Sequence, residues 1–350
     1  PHPDIVPDAP LGQTASTTKV IERGGLARLA TLVKQARAQN PNTLLMNIGD
    51  TYHGGAEALY SNGNAVVDPV NALGVDVGVP GNWDFAYGPA VTRLRYGDPS
   101  ATELSLLARL FPAFMPQGDI LRPSFINLAA NVTYTQPPAR AGTLLLPPTL
   151  LTQVGGVKIG FIGITSDIVP QMYAPLAFGL SFVSGEQNYR DLIDKHAGDL
   201  RGQGAQIVVV MSELGIHKDY RLAQIITAGS VDVFFSAHTH EAIFAPLTST
   251  SGALVVEAGN DGYLGRMDIN VDNGKVTARS WKLLPIDRGV PEDAAMLALV
   301  NAARAPFLVP NPNIKVPLPT VDQTLTRSIN SVVGHTAGAL DRRHALESGF

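Results

Sequence analysis

Two histidines one residue apart, His238 and His240, close the apolar run "VDVFFSAHTHE". Three other apolar runs end in a comparable way. "NTLLMNIGD" stops at Asp50, "VDVGVPGNWD" carries Asn82, and "AQIVVVMSELG" carries Glu213. Taken singly, each is better read as a turn residue, a helix cap, a solvated strand end or a packed histidine. Taken together they deliver carboxylate, carboxamide and imidazole groups to one edge. Those oxygen and nitrogen donors suit Mn, Zn, Fe and similar divalent ions. If "HTH" is extended, both imidazoles share a face; if it is a loop, they can splay towards two ions. A carboxylate such as Asp50 can bridge two ions roughly 3.5–4 Å apart, an arrangement that activates water for displacement at phosphorus.

The elements that must position these groups alternate. Leu26, Leu29, Leu32 and Val33 fall at helical spacing ahead of the strand ending in Asp50, with Lys34 and Arg37 near the helix C-terminus. "AVVDPVNALG" predicts a helix, in which Pro69 is tolerated if it sits in the first turn. "GVKIGFIGIT" predicts a strand, Glu186 to Gln203 a helix and "YRLAQIITAG" another. Strand–helix alternation argues for an α/β layered sheet, where ligands gather outside the carboxyl ends of the strands. Residues 1–22 read as loop. "GALVVEAGNDGYLGRMDINVDNGKVTARSWKLLPI" reads as an antiparallel meander with turns at Asn260-Asp261-Gly262 and Asp272-Asn273-Gly274. A helix is expected near residues 292–304, followed by a Pro-rich linker.

Composition narrows the function classes. Of 350 residues 45% are hydrophobic and 16% charged, a globular profile. Lys and Arg number 26 against 30 Asp and Glu, so there is no basic excess to neutralise a nucleic-acid polymer. There is no cysteine, which excludes disulfides, thiolate ligands and a cysteine nucleophile. No apolar run approaches the length of a membrane span. "GNDGYLG" does not open a helix after a strand, Gly49-Asp50-Thr51 is not followed by Gly-Lys-Ser/Thr, and Ser212 and Ser236 lack a triad partner. Dinucleotide binding, a P-loop and serine hydrolysis are therefore set aside.

The ordered segments "GGLARLATLVKQAR", "GDTYHGG", "LGVDVGVPGNWDFAYGP", "LAANV", "GGVKIGFIGIT", "SELG…D" (the last residue Asp219), "SAHTHE" and "VVEAGNDGYLGRMDINV" resemble the calcineurin-like metallophosphoesterases. Within them the chain resembles the 5′-nucleotidase branch, and its SoxB-like subgroup in particular. The resemblance implies a four-layer α/β/β/α sandwich with mixed sheets and two divalent ions, Mn or Zn foremost and Fe as a third option. It implies that Asp50 bridges the ions, that Asn82, Glu213 and His238 hold one, and that His240 helps hold the other. His53 and Asn131 are candidate substrate contacts, although for each a backbone or turn role is as good a reading. Asp84 reads as support for the Asn82 loop, and Trp83 as a packing residue rather than a pocket wall. The implied reaction is attack of metal-activated water on a phosphate monoester such as a nucleoside 5′-phosphate, in a periplasmic or extracellular setting.

Four departures qualify the resemblance. The family opens with a strand ending in Asp-x-His, and none precedes Gly24. The family's Gly-Asn-His and its partner aspartate are replaced by Trp83 and Ala86, so the acid dyad is absent, as in SoxB-type proteins. Glu213 stands where the family usually has histidine. "LDRRHALESGF" resembles the start of the family's C-terminal substrate-recognition domain. The expected organisation is a catalytic domain at 1–305 without its first strand, a Pro-rich linker at 306–330 and the beginning of a further domain at 331–350. Two alternatives follow. One is a thiosulfohydrolase releasing sulfate from a carrier-protein cysteine-S-thiosulfonate. The other is a metal-poor, non-catalytic binding member.

Overall fold

In a computed structural model, the strands Val157–Ile164, Ile207–Ser212, Val233–Ser236 and Leu254–Glu257 lie side by side and parallel. They are rich in Val, Ile and Phe and buried on both faces, the pattern a covered parallel sheet demands. Antiparallel edge strands, Leu247–Thr248 and Thr149–Val154, complete six strands. A second parallel sheet joins Met46–Ile48, Val77–Val79 and Ile126–Asn127. The structure describes residues 2–7, 18–259, 262–272, 274–315, 324–332 and 334.

Apolar layers hold these sheets. The helices Glu186–Gly202 and Ile216–Ile225 cover the outer face of the six-stranded sheet through Ile193, Leu200 and Leu222. Between the sheets, Val77, Val79 and Leu128 pack on Phe161, Val209 and Phe235. Helix Leu26–Gln39 packs with helix Ala294–Arg304 through Ala27, Ala30 and Met296. The result is a layered α/β fold with mixed sheets.

Because the strands run parallel, their carboxyl ends share one edge. Ser212 pairs in register with both Ile164 and Ser236, and Ser236 with Glu257. The smaller sheet brings Ile48 level with Val79, so the loops carrying Asp50 and Asn82 leave from one line. Thr165 Oγ1 donates to the Pro80 carbonyl and ties the two sheets together at this end.

Several expectations are corrected. Residues 1–22 contain a paired hairpin, His2–Pro7 with Thr18–Arg23, rather than loop alone. Pro69 lies in the interior of helix Asn64–Ala72. A proline there forgoes one hydrogen bond at about 3 kcal/mol, and burial of Val67, Pro69 and Val70 opposes that cost. The expected meander is split. Leu254–Glu257 joins the six-stranded sheet, and only Tyr263–Asp272 and Lys275–Pro285 form an antiparallel hairpin, with an irregularity at Asn270/Val271. The Asn260-Asp261 turn lies outside the described residues. Within the expected linker, Asn311–Lys315 pairs with Thr324–Leu325, and 335–350 lies outside the described residues.

A cavity of about 1070 Å³ runs between the outer edge of Met46–Ile48 and the strand Tyr263–Asp272. Leu29 and Val33 line it from one layer, Ile159 and Phe161 from the other, and its mouth reaches Asp50 and His240.

Candidate metal centre

Asp50 follows Gly49, and both adopt positive φ, 78° and 51°. The turn aims the carboxylate at the neighbouring loop, where Oδ1 accepts the Trp83 N–H at 2.8 Å. Gly81 makes this approach possible, since a Cβ there would lie 2.3 Å from Asp50 Oδ1. Asn82 is buried, its Oδ1 lies 3.0 Å from His238 Nδ1, and its Nδ2 donates to Met172 Sδ at 3.3 Å. Glu213 is 1% exposed and sits 3.5 Å from the same imidazole nitrogen through Oε2, an oxygen with no hydrogen-bond donor. A Cβ on Gly49 would strike Glu213 Cγ at 2.7 Å, which shows how closely the Asp50 loop approaches the six-stranded sheet.

His238 and His240 both have positive φ, 77° and 58°. "HTH" is therefore a loop, and its imidazoles do not share an extended face. His238 joins Asp50, Asn82 and Glu213. His240 is exposed and lies beside Glu257, outside that cluster. His53 stacks on Trp83, ring centroids 5.3 Å apart, with Nε2 3.9 Å from Asp50 Oδ2. Trp83, read from the sequence as packing, is 46% exposed and stacks on His53, which borders the cavity. Asn131 faces no open space. It is fully buried, its amide donating to the Thr165 carbonyl at 2.7 Å and accepting from the Thr165 N–H at 2.9 Å, so a substrate contact by Asn131 is corrected to a structural one. Ala86 ends the short helical turn after Asn82 and offers no acid.

The electrostatics point to a cation. Burial first, then the Glu213 and Asp84 charges, push the Asp50 carboxyl up to about 8. Burial also raises Glu213 well above the usual carboxylate range, with Asp84 adding to the effect. Acidic groups crowded in a dry site resist ionising unless a positive charge joins them. Among the described residues, no three His, Asp or Glu side chains meet at one point as a metal cage. The cluster instead combines two carboxylates, an amide and an imidazole, with an orphaned Glu213 oxygen turned towards the others. These donors fit a divalent ion of the Mn, Zn or Fe type.

A family model described as calcineurin-like phosphoesterase matches residues 2–242. The chain belongs to the calcineurin-like phosphoesterase family. Calcineurin-like phosphoesterases use a dinuclear metal centre. Similar curated proteins include a snake venom 5′-nucleotidase of Naja atra, 27% identical over 303 residues, covering 79% of this chain and 50% of that protein. The Bos taurus 5′-nucleotidase is 27% identical over 300 residues, covering 80% of this chain and 47% of the relative. The chain thus spans about half the length of the curated relatives it matches. Among solved structures, Thermus thermophilus SoxB, a sulfate thiohydrolase, superposes with TM-score 0.64 at 24% identity, covering 84% of this chain and 49% of that one. A Thermus thermophilus 5′-nucleotidase precursor gives 0.63 at 20%, covering 88% and 58%. These two likenesses speak to the fold.

In this member of the family, buried carboxyl groups also hold the loops of the candidate site in place. Asp84 accepts the Gly81 N–H at 2.8 Å and those of Thr51 and Tyr52 at 3.2 Å, joining the Asp50 and Asn82 loops. This is the support read from the sequence. Glu257 was missed. Its carboxylate accepts Thr239 Oγ1 at 2.7 Å and the Glu241 N–H at 3.1 Å, and so fastens the histidine loop. A polar residue closing the apolar run "LVVE" was the same cue that singled out Glu213. Replacing Asp84 with alanine leaves three N–H groups without their acceptor, at about 1–3 kcal/mol for each one that stays buried and unpaired. Calorimetry of Asp84→Ala is expected to show a drop in melting temperature of several degrees; a change below one degree removes Asp84 from this role.

Proposed function

We propose that the chain is the catalytic portion of a dinuclear-metal-dependent hydrolase whose substrate is a phosphate monoester such as a nucleoside 5′-phosphate. The observation that carries this reading is the buried, unpartnered Glu213 oxygen facing His238 and Asn82 beside Asp50. The 5′-nucleotidase names of the curated relatives support the substrate class. Asp50, Asn82, Glu213 and His238 would hold one ion, and Asp50 and His240 would contribute to a second. The ions would polarise the ester oxygens and lower the pKa of bound water. Asp50 remains oriented throughout by the Trp83 N–H. His53, held flat against Trp83, would offer its imidazole to an anionic substrate oxygen at the rim. Mn and Zn are the leading candidates for the ions.

One alternative has an observation of its own. With Trp83 exposed and Ala86 in place of an acid, no acid dyad serves a nucleoside leaving group. That favours a leaving group needing no protonation, as in release of sulfate from a cysteine-S-thiosulfonate on a carrier protein. Such a substrate would act outside the cytoplasm, and we propose a periplasmic or extracellular location for either reading. Among the described residues no helix is long and apolar enough to cross a membrane. AMP hydrolysis and sulfate release from a thiosulfonated peptide should be measured side by side, with metal content. Two equivalents of ion with phosphate release support the main reading. Sulfate release alone supports the alternative, and neither ion nor turnover would leave a non-catalytic binding member.

A further inference from the structure

One buried acid takes no part in the cluster and touches none of its members. Asp219, on the helix Ile216–Ile225, is fully buried. Its Oδ1 accepts Ser212 Oγ at 2.7 Å and its Oδ2 accepts Ser236 Oγ at 2.5 Å. Ser212 and Ser236 are register partners and the last residues of two adjacent parallel strands. Glu213 follows the first serine directly and His238 stands two residues after the second. One planar carboxyl therefore spans two strand ends immediately behind two candidate ligands.

The same helix is fastened to the loops at its start. The Ile216 N–H donates to Thr239 Oγ1 at 3.1 Å, between the two histidines. A Cβ on Gly215 would lie 2.9 Å from Thr239 Cγ2, so the helix approaches this loop as closely as glycine allows. Around the trio the core is apolar, with Ile164, Val210, Leu222 and Phe234 all buried. Three apolar residues would fill such a place without the cost of burying polar groups. What the polar trio supplies instead is direction, because hydrogen bonds fix the separation and orientation of the two strand ends.

We infer that Asp219 is a positioning residue that sets the spacing between Glu213 and His238. The inference rests on the reading of those two residues as partners in one ion site. Groups that orient metal ligands from behind typically cost on the order of 10-fold to 100-fold in ion affinity when removed.

The test compares Asp219→Asn with Asp219→Leu in the full chain after chelation. Asparagine keeps both contacts, with Oδ1 accepting from one hydroxyl and Nδ2 donating to the other. Mn(II) and Zn(II) binding is followed by calorimetry, and the His238 ring nitrogens by ¹⁵N NMR at fixed pH without metal. Asp219→Asn is expected to bind ions within about 3-fold of the parent. Asp219→Leu is expected to lose on the order of 10-fold or more and to shift the His238 resonances. If the leucine variant does not fold, Ser236→Ala removes one arm alone and gives the same direction of change, and so does Ser212→Ala, which also takes the acceptor of the Leu214 N–H at 3.3 Å. Parental ion affinity and unshifted His238 resonances in the leucine or both alanine variants overturn the assignment. If the parent binds no ion, the metal reading fails, and the His238 resonances still decide the role of Asp219.

Discussion

Replacing Asp50 with alanine is expected to lower turnover by at least about 10³-fold, equivalent to ~4 kcal/mol in the barrier, whichever ester proves to be the substrate. The size of the effect follows from position. Asp50 stands where the carboxyl ends of both sheets meet, its loop pressed against Gly81 on one side and Glu213 on the other. No neighbouring side chain can take over a carboxylate held at that point by the Trp83 N–H. Loss of bound metal should accompany loss of rate, measured as ion equivalents per chain. The fold should survive. The Asp50 carboxyl is pushed up to about 8, so the uncharged form dominates at neutral pH without a cation, and its removal sacrifices one hydrogen bond worth ~1 kcal/mol. A folded Asp50→Ala protein with undiminished turnover would refute the bridging role.

The second large effect is a pH dependence of stability in the chelated protein. Asp50 is raised to about 8 and Asp219 to about 7, in both cases chiefly by burial. Glu213, Asp84 and Glu257 are raised as well, again led by burial. A carboxyl whose folded pKa exceeds its unfolded value near 4 binds its proton more tightly when folded. Its contribution is fully present below about pH 4 and disappears as pH rises through 7 to 8. Of the two aspartates Asp50 and Asp219, Asp50 is raised further and contributes more. Surface pairs work the other way. The Lys34 ammonium beside Asp293 and the Arg288 guanidinium beside Glu22 hold those carboxyls low, so their contribution is lost only as pH falls below about 4. Scanning calorimetry of EDTA-treated protein should therefore give its highest melting temperature near pH 4 and a steep decline towards pH 8.5. Saturating Mn(II) should flatten that decline, because the ion binds the charged carboxylates. A flat profile without metal would show that these acids are not held in the folded state as described.

The edge that carries the candidate ligands was legible because each strand is an apolar run that stops abruptly at a polar residue. Asp50, Asn82, Glu213 and His238 all follow that rule, and parallel pairing then places them on one line. His240 follows it too, yet the structure places it apart. The two positive φ values in the loop turn successive imidazoles away from each other, and side-chain alternation applies only to extended backbone. The N-terminal hairpin was missed because its segment is rich in Pro, Asp and Thr, and pairing there overrides local preference. The meander was half right. Its turn residues were visible, but nothing local reveals that Leu254–Glu257 prefers a parallel partner more than 15 residues upstream. Glu257 carried the cue that singled out Glu213 and was passed over, whereas Asp219 lay within a quoted segment without a role, since a carboxyl that joins two strand ends shows what it does only through partners distant in sequence.

The long cavity beside Met46–Ile48 has a consequence for how the chain behaves in concentrated solution. Among the described residues, no strand pairs with the outer edge of Met46–Ile48, and the free edge of Tyr263–Asp272 borders the same space. Unpaired peptide groups above an apolar floor are templates on which another extended chain can add itself. One edge is guarded, with Arg266 bound to Asp268 at 2.9 Å and to Gln39 at 2.6 Å. The other, Met-Asn-Ile, carries no charge. In colloidal terms the surface is not uniform. Of these two edges the one less protected against self-association is three residues long, and it opens beside the very carboxylates that the metal is proposed to bring together.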